Sequence, residues 1–327
     1  MLRRARLSMP KEQVKKIISD IRALKIQGAR NVAKSAVLAL GIAAKDSKAK
    51  TVESFYKDIS KTAEEIANCR PTEPMMRNML HDVCRFALMQ IRSNSHLSIE
   101  EMKESVASKE KKMLTKMDSD AQSLAKNGAR LIPEGGVVLT HCHSSTSTRV
   151  LIEAKKMKKK FSVVCFETRP RYQGRVTATE LAKAGLDVTL SVDGGMSLHL
   201  KKADMVIVGA DSITSRGDLI NKIGTSALAH LSHMHDVSFY SAAELFKYSP
   251  ITLFGTREKI EERDLREVWD KPPKGVKIRN PAFEATAARY INGYITEIGV
   301  VPPQALFSVA SQKLGIKLDE NDDNLEV

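Results

Sequence analysis

From Ile132-Pro133-Glu134-Gly135-Gly136 onward the chain repeats one pattern: a short apolar run, then a stretch of helical period. Apolar runs cover residues 137–141, 161–166, 187–192, 204–209 and 237–242, and helices are predicted near 146–158, 177–184, 195–201 and from about 222 to 234. A strand, a helix and a further strand close as a right-handed βαβ unit, so the pattern dictates a mostly parallel sheet. The segment YITEIGVVPPQALFSVASQKLG is expected to add a strand and a closing helix.

Residues 11 to about 128 carry a different signature. In KEQVKKIISDIRALKI, the apolar residues Val14, Ile17, Ile18, Ile21 and Leu24 recur close to every 3.6 positions, the period of an α-helix with one buried face. NVAKSAVLALGIAAK, SFYKDISKTAEEIAN, MRNMLHDVCRFALMQI and the long run from SIEEMKESV to GARLI repeat it, with stops near Arg70-Pro71 and at Gly128. The expected fold is α/β: an N-terminal helical domain over residues 1–130, then a Rossmann-like domain over 131–327 with a mostly parallel sheet and a short acidic tail, DENDDNLEV, read as a solvated end.

Ligands of an open parallel sheet bind beyond the carboxyl ends of its strands. Cys142, Arg169, Asp193, Asp211 and Lys247 fall at or just past the ends of the apolar runs. In THCHSSTST, Ser144, Ser145 and Thr146 open a predicted helix, whose N–H groups and hydroxyls suit an anion. The same field would favour thiolate at Cys142; the plain alternative is an inert, buried cysteine. Asn221 and Lys222 are expected at the next helix start, beside Gly224, as a phosphate cradle, with Asp211 as a strand-end acid or a turn residue. Arg169, Arg171 and Arg175 offer forks that match phosphate oxygens. His141, Cys142 and His143 alternate faces along a strand and cannot readily share one ion, and His230, His233 and His235 read as a helix face and its end. No metal and no other cofactor is expected.

A formal net charge of +13 suits anionic partners, but aromatics make up 5% and are not interleaved with basic residues, so nucleic-acid binding is not expected as the main activity. The four cysteines form no C-x-x-C pair, no apolar leader segment is seen, and no run of 18 uncharged apolar residues exists. A reduced, cytoplasmic chain with no membrane span is the expectation.

THCHS, ETRPRYQGR, GADSIT, INKIGT and AELFK, in this order, resemble the superfamily of translation initiation factor 2B alpha, beta and delta subunits and sugar-1-phosphate isomerases. QGARNVAKSA and CRPTEPMMRN extend the likeness into the helical half, and the archaeal ribose 1,5-bisphosphate isomerase branch is the most similar. The resemblance implies Cys142 as proton acceptor and Asp211 as proton donor in turning a phosphorylated pentose, α-D-ribose 1,5-bisphosphate, into ribulose 1,5-bisphosphate. It implies Gly28, Ala29, Arg30, Arg70, Ser144, Ser145, Thr146, Asn221, Lys222 and Lys247 as substrate-binding residues, a homo-oligomer built from dimers, and a role in nucleoside monophosphate breakdown. Two positions depart from the isomerase pattern: Gln27-Gly28-Ala29-Arg30 stands where R-G-A-G is usual, and Ser145 where a lysine is usual. A non-catalytic regulatory subunit that binds sugar phosphates or nucleotides, and a 5-methylthioribose 1-phosphate isomerase, are the alternatives.

Overall fold

A computed structural model describes residues 10–94 and 96–316, so the acidic tail and the first basic residues lie outside the described residues. Two compact units divide inside one helix, the first ending at Asp118 and the second starting at Ser119.

The first unit is helical: α1 (Pro10–Arg22), α2 (Ala29–Asp46), α3 (Val52–Ala67), α4 (Pro74–Ser93) and the leading part of α5 (Ile99–Leu131). Local chemistry sets the ends. α3 opens on a capping box in which Thr51 and Ser54 satisfy each other's backbone N–H groups, and α4 carries Pro74 in its first turn, where no hydrogen bond is lost. α2 packs on α1, α3 and α4. Val32, Ala36, Leu40, Phe55, Ile59, Ile66, Met75, Met76 and Met79 are buried at the helical spacing read from the sequence. Each large side chain among them contributes roughly 1.5–3 kcal/mol by leaving water.

The second unit contains, in chain order after α5, β1 (Val137–His141), α6 (Ser145–Lys156), β2 (Ser162–Phe166), α7 (Gln173–Lys183), β3 (Asp187–Ser191), α8 (Met196–Leu200), β4 (Met205–Val208), β5 (Ser212–Ile213), β6 (Leu219–Lys222), α9 (Thr225–Met234), β7 (Ser238–Ala242), β8 (Phe283–Thr286), β9 (Gly293–Thr296), β10 (Gly299–Val301) and α10 (Leu306–Leu314). The seven-stranded sheet has the order β10-β9-β7-β4-β1-β2-β3, parallel throughout except for the β9–β10 hairpin. Consecutive residues of its central strands are buried on opposite faces, Val138 and Ile207 on one and Leu139 and Val206 on the other, as a sheet covered on both sides requires.

The structure corrects three expectations. Residues 219–222 form strand β6, not a helix start, and α9 begins only at Thr225. β6 pairs with β5 and β8 in a separate antiparallel sheet that no periodicity announced. YITEIGVV forms two strands rather than one. Among the described residues no helix is long and apolar enough to cross a membrane.

Strand order decides where a ligand can enter. From β1 the chain winds outward through β2 to β3; from β4 it winds the other way through β7 to β9. β1 and β4 are neighbours, so the crevice of this sheet opens beyond their carboxyl ends.

Candidate active site

Cys142 is the first residue after β1, and Gly209-Ala210-Asp211 follow β4. The two loops touch at Ser144 and Gly209: a Cβ on Gly209 would lie 2.4 Å from the Ser144 Cβ and Oγ, so glycine is what allows the approach. Ser144 is the N-cap of α6, its hydroxyl accepting from the Ser147 N–H. Asp211 is half-buried and held by its own N–H, which donates to the Ile220 carbonyl at 3.0 Å.

The Cys142 backbone is left-handed, φ 66°, a conformation that costs a side-chain-bearing residue about 1–3 kcal/mol and persists only when surroundings fix it. They do so here. Its N–H donates to Thr168 Oγ1 at 2.8 Å, and its carbonyl accepts from Thr177 Oγ1 at 2.9 Å. With the Thr177 proton committed there, His143 donates from Nδ1 to that oxygen at 3.0 Å. Thr168 is itself left-handed, φ 65°, and buried. Asp193 holds it: one carboxylate oxygen accepts from the Thr168 N–H at 2.8 Å, the other from the Arg169 N–H at 2.7 Å.

Electrostatics correct the expected thiolate. Burial pushes the Cys142 thiol up to about 11; Lys222 and the His143 N–H pull it down, and Asp211 and Asp193 push it further up. Desolvation outweighs the cation, so the resting sulfur carries its proton. His141, at the end of β1, is buried and its pKa is lowered by that burial. Its Nε2–H donates to the Ile223 carbonyl at 2.8 Å, which fixes a neutral ring in one tautomer.

Lys222, the last residue of β6, is buried with its ammonium 4.7 Å from the centre of the Phe283 ring. Asn221 donates to Thr225 Oγ1 at 3.1 Å. The start of α9 is not an open anion site. Glu284 of β8 already accepts from the Gly224 N–H at 2.7 Å and the Ser226 N–H at 2.9 Å. Lys247, in a short 3₁₀ turn after β7, donates to the Ala210 carbonyl at 2.7 Å and lies 3.7 Å from Glu244.

The sequence profile of the initiation factor 2 subunit family matches residues 25–303. The chain belongs to this family. Ribose 1,5-bisphosphate isomerase of Archaeoglobus fulgidus is 37% identical to this family member over 306 residues, 93% of this chain and 94% of that protein. Methylthioribose-1-phosphate isomerase of Geobacter sulfurreducens is 33% identical over 303 residues, 88% and 86% of the two chains. The structure of translation initiation factor eIF-2B from Pyrococcus horikoshii OT3 superposes with a TM-score of 0.75 at 31% identity, over 89% of this chain and 98% of that one.

In this initiation factor 2 family chain, the second unit holds Cys142, Ser144, Ser145, Thr146, Asp211, Asn221, Lys222 and Lys247, with Ser145 exposed and Thr146 buried. Asp211 and Lys222 both act electrostatically on the Cys142 sulfur, in opposite senses. Gly28, Ala29, Arg30 and Arg70 belong to the first unit. Gly28, φ 82°, is the N-cap of α2. Arg30 is buried and its guanidinium meets Asp118 at 2.7 Å; Arg70, also buried, lies 3.2 Å from Glu73. The three arginines of ETRPRYQGR, expected as phosphate forks, are spent on protein partners: Arg169 donates to the Tyr172 hydroxyl and the Val268 carbonyl, Arg171 pairs with Glu267 and Arg175 with Glu167. Thr168, Thr177 and Glu284 were not singled out from the sequence; a threonine or glutamate outside a motif carries no mark there. Among the described residues no group of three or more His, Cys, Asp or Glu could hold a metal ion.

Proposed function

We propose that this chain is a sugar-phosphate isomerase that converts α-D-ribose 1,5-bisphosphate to D-ribulose 1,5-bisphosphate, with Cys142 as proton acceptor and Asp211 as proton donor. The observation that carries the reading is a thiol and a carboxylate on adjoining loops at the reversal point of the sheet, the charge of one acting on the other. The isomerase relatives, matched over nearly their whole length, support the same chemistry.

The reaction balances within the substrate. Asp211 gives a proton to the ring oxygen as the C1–O bond breaks, and Cys142 takes the proton from C2. The C2–H electrons form the C1–C2 double bond of a cis-phosphoenolate. The Cys142 thiol then returns its proton to C1 while the C2 hydroxyl gives its own to the Asp211 carboxylate, which leaves a carbonyl at C2 and restores both groups. No electron leaves the sugar, so no redox partner is needed.

A thiol at about 11 is ionised in only about one molecule in 10⁴ at neutral pH. Moving its proton to Asp211 turns thiol and carboxylate into thiolate and carboxylic acid without changing the net charge of the pair. One transfer thus supplies both the base and the acid, and the pair titrates as a unit. Lys222 stabilises the thiolate form. We assign the phosphates and sugar hydroxyls to Lys222, Asn221 and the first turn of α6 at Ser144, Ser145 and Thr146; for Gly28, Ala29, Arg30 and Arg70 a substrate-binding role is what the family resemblance supports. Lys247 contributes by holding the carbonyl next to Asp211. A cytoplasmic homo-oligomer completes the proposal.

The test is turnover of purified protein on α-D-ribose 1,5-bisphosphate, beside Cys142→Ser and Asp211→Asn. Each variant is expected to lose about 10²–10⁴-fold in kcat with an unchanged melting temperature, the usual scale for removing a general base or acid. Preference for 5-methylthioribose 1-phosphate would reassign the substrate, and tight binding without turnover would make the chain a regulatory subunit.

A further inference from the structure

We propose that Thr168 and Asp193 are positioning residues for the reaction: hydrogen bonds in series from the Asp193 carboxylate through Thr168 hold Cys142 in the left-handed backbone that sets the direction of its sulfur. The inference rests on the reading of Cys142 as proton acceptor and adds residues that the sugar need not touch.

Three observations carry it. Cys142 and Thr168 are both left-handed, and they are joined directly, Cys142 N–H to Thr168 Oγ1 at 2.8 Å. A β-branched residue rarely adopts this backbone, so Thr168 is held there by something, and Asp193 supplies the hold at 2.8 Å on its N–H and 2.7 Å on the next one. The linkage joins three strand ends: β1 carries the cysteine, β2 the threonine and β3 the aspartate. Those strands are consecutive neighbours in the sheet, so the clamp runs from the outer edge to the crevice. The Thr168 hydroxyl also donates to the Phe166 carbonyl at 3.0 Å and lies 3.4 Å from His141 Nδ1. A single side chain therefore fixes the backbone of β2's end and that of the reactive residue.

Asp193 is a second negative group near the sulfur. The charged and titratable groups acting there are Lys222 from β6, Asp211 from the loop after β4 and Asp193 from the turn after β3, with neutral His141 on β1. Removing the Asp193 charge should make the thiol more acidic, whereas losing the clamp should slow turnover. A residue that merely supported the fold would not move these two quantities in opposite senses.

The experiment uses the full chain and four proteins: parent, Thr168→Val, Thr168→Ser and Asp193→Asn. It measures kcat and KM on ribose 1,5-bisphosphate, the melting temperature, and the pH profile of Cys142 alkylation by iodoacetamide, quantified on the peptide without substrate. Thr168→Val, which keeps the shape and loses the hydroxyl, is expected to drop kcat about 10- to 100-fold with KM little changed, the scale of a small misplacement of a reacting group. Thr168→Ser keeps the hydroxyl and is expected to restore most of kcat. Asp193→Asn is expected to lower kcat while its alkylation profile moves to lower pH. Parental kcat and alkylation in Thr168→Val would overturn the proposal. So would equal losses in Thr168→Val and Thr168→Ser, or a fall in melting temperature with an unmoved alkylation profile. If the parent does not turn over the bisphosphate, the isomerase reading fails on its own. The alkylation profile of Thr168→Val, which changes no charge, then decides the clamp, a shift supporting it and a parental profile overturning it.

Discussion

At the residue scale, the sulfur of Cys142 is set by a contest between burial and one cation. Burial pushes the thiol up to about 11 while Lys222 works against it. Lys222→Met removes the cation that pulls the thiol down, so the thiol should rise above its present value. Alkylation at pH 10 is expected to slow, and an unchanged rate would show that the ammonium does not reach the sulfur. This balance was not legible in the sequence. The strand end, the helix start and the lysine could all be read there, and they argued for a thiolate. Desolvation is a tertiary property, fixed by what covers the sulfur, and it reversed the sign. Asp193 was legible as a strand-end carboxylate, but its task was not, because its partners are backbone N–H groups of a loop that the sequence joins to a different strand.

At the scale of elements, the crevice depends on two loops coming closer than side chains allow. Gly209→Ala would place a methyl group 2.4 Å from the Ser144 Cβ and Oγ, in a helix N-cap that cannot easily move. A loss of about 1–3 kcal/mol is expected from such overpacking, seen as a lower urea midpoint. Gly194→Ala, with nothing within 4 Å of the added carbon, is the matched control and is expected to be neutral. The central parallel strands were legible as apolar runs because both their faces are covered: the observed β1 spans residues 137–141, and β2 and β4 lie inside their expected runs. β5 and β6 were not. They are two and four residues long and fully buried, so they show neither alternation nor a run long enough to stand out. Asn221 and Lys222, polar and followed closely by Gly224, mimic a helix start although they end a strand. What Gly224 does there is local: its φ is 99°, and a Cβ would meet His141 Nε2 at 2.8 Å.

At the scale of the whole molecule, buried thiols tie stability to alkaline pH. Cys84 is pushed up to about 11 and Cys165 to about 12, both by burial first, and Cys142 to about 11. Their folded values exceed the unfolded one, so the native state keeps protons that the unfolded chain has released. Their contribution is complete below about pH 8.5–9 and is lost as pH rises through 11 to 12. Each thiol costs about 1.4 kcal/mol per pH unit across that window, with Tyr248, raised to about 12 by burial, joining above pH 10. Urea midpoints measured under reducing conditions are expected to fall steadily from pH 8.5 to 10.5, and Cys165→Ala to flatten the slope; a flat parent curve would contradict the burial of these sulfurs. The two architectural signatures, helical and α/β, were legible because hydrophobic period reports secondary structure directly. The stretch between β7 and β8 has no period, and its fastening to Arg169 and Arg171 is visible only in three dimensions. That fastening has an optical consequence. Trp269, the chain's sole indole and half open to water, sits beside the carbonyl that Arg169 grips. Its fluorescence therefore reports one clasp in the second unit, whereas far-ultraviolet dichroism sums over the helices of both units.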